Sequence, residues 1–158
     1  MHALPTVGYR HHAALMPRVE ELVKLADELD APSADFSARL ADEHRFITDQ
    51  LVPHMEQAEA TLYPELERLM QNRHSMTPMR REHVELRGMI DELGSLKERE
   101  LTLAVRLRLR RVLYGMFAIL KVHLAEEAAY LGILDHNLTE EEQQALAQAM
   151  EHVMAKRP

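Results

Sequence analysis

The stretch LYGMFAILKVHLAEEAAYLGILD, residues 113–135, decides the fold. Together with the residues just before it, it sets Leu109, Val112, Met116, Ile119, His123, Glu127 and Tyr130 at intervals of three and four, the spacing of one face of an α-helix. Such a face packs against other helices. This one also carries a histidine and a glutamate four residues apart, about 40° around the helix, so both side chains reach the same layer of a core.

Working outward, the same periodicity predicts three more long helices. Residues 7–29 repeat His12, Leu15, Val19, Leu22, Ala26 and Leu29 before Asp30-Ala31-Pro32-Ser33 breaks the pattern. Residues 34–70 carry Leu40, His44, Ile47, Leu51, His54 and Ala58, with Pro53 and Pro64 inside the pattern, where kinks are expected. A third helix starts at Thr77 as N-cap with Pro78 in its first position and turns Met79, His83, Leu86, Ile90 and Leu93 inward. A short fifth helix follows the capping box Thr139-Glu140-Glu141-Glu142. The expected fold is therefore all-α: an up-down-up-down four-helix bundle with a short C-terminal helix, one domain over residues 1–158 with its core bundle at about 7–136.

Each long helix places one histidine on its inner face, and axial rise tests whether the four share a layer. At ~1.5 Å per residue, His12 lies roughly 27 Å from the break near Asp30 and His54 roughly 31 Å from Ser33, so those two meet. A turn at Gly94 would leave His83 and His123 at different heights. A turn at about Glu98 to Thr102 brings their distances to roughly 25 and 32 Å, and residues 71–76 must then run partly back along the bundle.

Composition narrows the chemistry. The absence of cysteine removes disulfides, thiolate zinc sites, iron–sulfur clusters and thiol nucleophiles, leaving nitrogen and oxygen as metal donors. A formal charge of −7 is the wrong sign for nucleic-acid binding. No apolar run approaches the roughly 18 residues of a membrane span, and the N-terminal stretch lacks the pattern of an export signal, so a cytoplasmic protein is expected. Only 5 glycines, 3 phenylalanines and no tryptophan favour helix over sheet. Four buried imidazoles without partners would cost several kcal/mol, whereas a metal satisfies them together. Neutral imidazole and carboxylate suit divalent transition metals such as iron.

Four segments carry a resemblance. HHAALMPRVEEL (11–22) has His12 five residues before Pro17, and LVPHMEQAEATLYPEL (51–66) has His54 between Pro53 and Pro64. MRREHVEL (79–86) holds His83, and residues 113–135 hold His123 and Glu127. Over residues 8–136 the chain resembles the hemerythrin-like family of HHE cation-binding domains. The resemblance implies a non-heme pair of iron ions, oxo- or carboxylate-bridged, that binds or reacts with O2, peroxide or NO. It implies metal ligation by His12, His54, His83, His123 and Glu127, with any peroxide- or O2-consuming activity left open. Charge and hydropathy, as above, give no reason to expect a nucleic-acid or membrane partner. The alternatives are a single-metal or zinc bundle and a metal-free helical interaction module.

One position departs from the family pattern. The glutamate usual four residues after the second-helix histidine is Ala58 here. Glu59, one residue later, would sit about 140° from His54 on a regular helix. Because Pro64 offers no N–H to the carbonyl of Ala60, residues 59–64 are expected to widen into a π-turn that swings Glu59 inward as the second bridge; Glu56 or water are the alternatives. His44 reads as core or hydrogen-bonded rather than ligating, and Tyr9, one turn before His12, as a bundle-end aromatic or a donor into the pocket. Arg106, Arg108, Arg110 and Arg111 read as a solvated basic face.

Overall fold

The structure is a computed structural model that describes residues 3–155, with side chains from residue 12 to residue 152. Five helices account for nearly all of it, and no strand occurs among the described residues. They are α1 (Ala3–Asp27), α2 (36–69), α3 (Thr77–Leu96), α4 (Leu103–Asn137) and α5 (Glu140–Ala155). A single 3-10 turn, Glu28–Asp30, ends α1 before the expected break. Helix α1 packs along α4, α3 packs along α4 from another side, and α5 lies across α1 and the middle of α2. Among the described residues no helix is long and apolar enough to cross a membrane.

Most of the inward faces read from periodicity are buried, while Ile119 and Tyr130 of α4, also read as inward, are only half-buried. Leu15, Val19, Leu22, Ala26 and Leu29 of α1 and Met79, Leu86, Ile90 and Leu93 of α3 all lie in the core. The apolar interior is divided in two. A larger cluster runs from Leu29, Phe36, Leu96 and Val105 up to Leu15, Met55, Leu86 and Leu124. A smaller one gathers Ala58, Leu62, Tyr63, Leu66, Met76, Met79, Leu131 and Leu134 with Ala147 and Met150 of α5. His83 and Glu127 fall in sequence between the two, His54 and His123 stand at the last members of the larger cluster, and His12 one turn before Leu15. They form the polar layer of the molecule.

Helix α2 shows how proline shapes the interior. Its α-helical course is interrupted by two π-turns, Ile47–Leu51 and Ala58–Leu62. Each closes on a five-residue hydrogen bond, Val52 N–H to the Ile47 carbonyl and Tyr63 N–H to the Ala58 carbonyl. Each lies just ahead of a proline, Pro53 or Pro64, whose missing N–H removes the regular bond in the next turn. The second π-turn lies where the sequence predicts widening. The first does not come from that reading, and it moves the register of the first half of α2: Glu43 is buried and His44 is only half-buried. The His44 ring lies against Gly94, where a Cβ would come within 2.9 Å of Nε2. Glu43 faces Arg18 at 3.3 Å, and burial pushes its carboxyl up to about 7 despite that cation.

The connections are capped by local chemistry. Thr102 accepts a hydrogen bond from Val105 N–H at 3.3 Å at the start of α4, so the turn between α3 and α4 covers residues 97–102. The N-cap of α3 is Met76, one residue earlier than the sequence reading places it. At α5 the capping box closes both ways, Thr139 N–H to Glu142 at 2.8 Å and Glu142 N–H to Thr139 Oγ1 at 3.3 Å. The arginines of α4 tie helices together: Arg108 and Arg111 bind Glu92 of α3, and Arg110 binds Asp30. Exposed pairs of this kind contribute at most about 1 kcal/mol each.

Helix α2 ends in a Schellman motif, with Asn72 N–H bonded to the Glu67 carbonyl at 3.1 Å and Gln71 N–H to that of Arg68 at 3.2 Å. Gln71 therefore takes φ 51°, a left-handed conformation that costs a residue with a Cβ roughly 1–2 kcal/mol. Gln71→Gly is expected to raise stability by about 1 kcal/mol in urea titration without altering the midpoint slope. A loss of stability would show that the Gln71 side chain contributes more than its backbone strain costs.

Candidate metal centre

Four helices bring their histidines to one place. His12 comes from α1, His54 from α2, His83 from α3, and His123 with Glu127 from α4. His54, His83, His123 and Glu127 are buried, and the His12 side chain is 12% exposed. The Glu127 carboxylate is the hub. His12 Nε2 and His54 Nε2 each lie 2.9 Å from its Oε1, and the ligand atoms of these three residues lie within 4.8 Å of one another. His123 Nε2 lies 3.5 Å from the other oxygen, Oε2, and 3.1 Å from His83 Nε2. The site thus has two lobes, one imidazole pair on each side of a single carboxylate.

The outer ring nitrogens explain why the inner ones point at each other. His83 Nδ1 meets Glu59 at 2.6 Å, and His123 Nδ1 meets Glu82 at 2.6 Å. A carboxylate accepts from N–H, so both rings carry their proton on Nδ1 and turn the lone pair of Nε2 inward. Two lone pairs facing at 3.1 Å repel unless a proton or a cation lies between them. Metal–imidazole bonds of ~2.0–2.1 Å at angles near 90–110° place two donors of one ion about 2.9–3.4 Å apart. The His83–His123 spacing, and the 2.9 Å contacts of His12 and His54 with Glu127, are of the size found between donors of one ion.

Electrostatics follow from the same contacts. Burial alone would raise the Glu127 carboxyl, but His54, His12 and His123 outweigh it and hold it well below the usual range. Burial pushes His83 down to about 4 even though Glu59 pulls the other way. Burial also acts against charge on His123, but there Glu127 and Glu82 win and the imidazole is raised. Of the facing pair His83 and His123, then, a proton resides more readily on His123. That is the charge a cation would replace on binding.

Each residue expected from the sequence has a definite place. His12, His54, His83, His123 and Glu127 are brought together. Glu59 reaches the layer from outside: its carboxylate holds His83 Nδ1 and takes two hydrogen bonds from Arg87, at 3.0 and 3.3 Å. Glu56 is exposed, and His44 lies apart from the cluster, beside Gly94. The side chains of Tyr9 and His11 lie outside the described residues.

Three further participants, Glu82, Arg87 and Tyr63, do not emerge from the sequence pattern. The Tyr63 ring is fully buried, its hydroxyl lies 3.1 Å from His83 Nε2, and the two rings stack 5.5 Å apart. Nine residues after His54, Tyr63 would face about 180° away on a regular helix. The π-turn absorbs one residue and leaves about 80°, which turns the phenol into the pocket. Pro64, the residue that signals a widened turn at Glu59, is the one sequence feature that bears on Tyr63 as well.

Fold and site together define a helical protein with a buried histidine–carboxylate cation centre. The family model for the hemerythrin HHE cation binding domain matches residues 8–134, so the chain belongs to the hemerythrin family. No curated protein and no solved structure gives a significant match.

The depressed His83 makes the metal-free protein sensitive to acid. An imidazole titrating near 4 when folded and near 6.5 when unfolded contributes stability that is complete above about 6.5 and is lost as pH falls through about 4. Metal-free His83→Phe should therefore lose less stability than the wild type across that window. Parallel stability–pH curves for the two proteins would show that His83 is not the group responsible.

Proposed function

We propose that the protein is a non-heme di-iron protein whose site binds or reacts with O2, peroxide or NO. The observation that carries this reading is the pair of lobes around Glu127: His12 and His54 Nε2 each 2.9 Å from Oε1 in one, and His83 and His123 Nε2 3.1 Å apart in the other, distances found between donors of one ion. On this reading the four long helices form an up-down-up-down bundle. His12 and His54 bind one ion, His83 and His123 the other, and Glu127 bridges. Glu59, expected from the sequence as the second bridge, is assigned instead to orienting His83 from its outer nitrogen, as Glu82 orients His123. When bound, iron supplies redox chemistry and open positions for a small ligand. The residues supply the rest: they fix the imidazole tautomers, offset the positive charge with one internal and two outer carboxylates, and keep bulk water out between two apolar clusters.

A single-ion reading has one specific support. His12, His54 and Glu127 form a compact three-donor set that suits one ion with an open fourth position. Stoichiometry separates the readings. Anaerobic loading with Fe(II) followed by air should give two irons per chain and iron charge-transfer absorption, whereas one metal per chain, or zinc retained in preference to iron, supports the single-ion site.

Metal should also stabilise the fold, because its ligands converge only in the native state. Chelator is expected to lower the thermal midpoint, and His83→Ala should lose iron while His44→Ala keeps it. Equal iron in those two variants would count against the assignment. Glu59→Gln and Glu82→Gln test the outer carboxylates: each is expected to weaken metal affinity by about 10–100-fold without abolishing binding. Complete loss of one iron in Glu59→Gln would instead return Glu59 to the role of ligand.

A further inference from the structure

The two lobes are not equally supplied. In the first, His12 and His54 both lie 2.9 Å from Glu127 Oε1. In the second, the carboxylate oxygen nearest an inward nitrogen is Glu127 Oε2, 3.5 Å from His123 Nε2, and the helical position that could present another carboxylate is Ala58. A further oxygen does stand there. Tyr63 Oη lies 3.1 Å from His83 Nε2, the same separation that divides His83 Nε2 from His123 Nε2. It reaches this point because the π-turn Ala58–Leu62 rotates the end of α2 and so delivers an oxygen five residues after Ala58.

We propose that the Tyr63 oxygen is a ligand of the metal held by His83 and His123, taking the place of the carboxylate that Ala58 cannot provide. This rests on the two-ion reading above. Hard, anionic oxygen suits iron, and a phenolate restores one of the negative charges missing from the site. On binding, the phenol O–H bond breaks heterolytically, its electron pair passes to the metal, and the proton leaves to solvent; no oxidation state changes. Burial and the carboxylates of Glu127, Glu59 and Glu82 hold the free phenol protonated, so the metal's own charge would drive the ionisation, with one cation of the protein acting in the same direction. The Arg80 guanidinium lies 5.3 Å from the centre of the Tyr63 ring, itself held by Glu67 at 3.1 Å, and it places a cation over the aromatic face. Complete burial of the ring keeps water from competing for the position.

The alternative role for Tyr63 is a hydrogen bond to His83 alone, with no bond to metal. The two differ in a property that does not depend on turnover. Iron(III) bound to phenolate gives a visible charge-transfer band and resonance-enhanced phenolate ring vibrations, and a phenol that only donates a hydrogen bond gives neither.

The chain has 4 tyrosines, so the signal is assignable by elimination. The protein loaded with iron(III) is examined as wild type, as Tyr63→Phe, and with Tyr9, Tyr114 and Tyr130 all changed to Phe. The expected result is a phenolate signature in the wild type that survives in the triple variant and is absent from Tyr63→Phe at unchanged iron content. If Tyr63→Phe fails to fold or to hold iron, the triple variant alone still decides, since only Tyr63 remains to produce the signature there. Two irons per chain with no phenolate signature, or a signature lost in the triple variant, overturns the assignment and leaves the di-iron reading standing. Failure of the wild type to take up iron overturns both.

Discussion

Five polar side chains that bind one another have to be buried at one height, and the rest of the molecule is arranged around that requirement. Imidazoles and a carboxylate are expensive to remove from water singly. Here each finds partners only when all four long helices are in place, because Glu127 of α4 answers to His12 of α1 and His54 of α2 while His83 of α3 answers to His123. The apolar clusters on either side fix the height. Leucines one turn away, Leu15, Leu51 and Leu120, floor the layer from one side, and Ala58, Met79 and Leu131 close it from the other. A helix that slid by one turn would bring a leucine against the Glu127 carboxylate and send a histidine into hydrocarbon. The cost of that mismatch gives the layer its power to set register.

Helix α2 meets the requirement by departing from regularity. Between Leu40 and Leu66 it must present Ile47, Leu51, His54, Ala58, Leu62 and Tyr63 to one interior, a spacing that no straight α-helix provides. The two π-turns each absorb a residue, and each is placed by a proline eleven positions from the other, Pro53 and Pro64. The local loss of one hydrogen bond is offset by burial on the correct face. Proline here acts as a register device.

These facts decide what the sequence could and could not reveal. Seams on α1, α3 and α4 were legible because a regular helix converts spacing directly into direction, and the histidines stood on those seams. Glu43 and Tyr63 were not, because both depend on how far each π-turn rotates one half of α2 against the other, and proline signals a distortion without stating its size. The widening near Pro64 could be anticipated, but the destination of Glu59 could not. It is set by His83 Nδ1 and Arg87 on a different helix, and no spacing within α2 encodes them. Glu82 was hidden for the same reason: it stands beside His83 in sequence yet serves His123 across the interface.

The position of Glu59 bears on how two cations could share so small a space. A carboxylate bridging from Ala58 would place its charge between them, whereas Glu59 places it on the far side of an imidazole, and Arg87 offsets part of it there. Charge acting through the ring raises the basicity of Nε2 but screens cation–cation repulsion less than a bridge does. Glu82 acts the same way on His123 and has Glu126 as a neighbour, whose carboxyl burial and Glu82 together push upward. Glu59 and Glu82 thus stand behind the second pair of histidines, while Glu127 meets the first pair directly. On the two-ion reading, an ion in the His83–His123 lobe would meet donors backed by Glu59 and Glu82, and one in the His12–His54 lobe would lie beside the most exposed histidine of the layer, where a small ligand would enter from solvent.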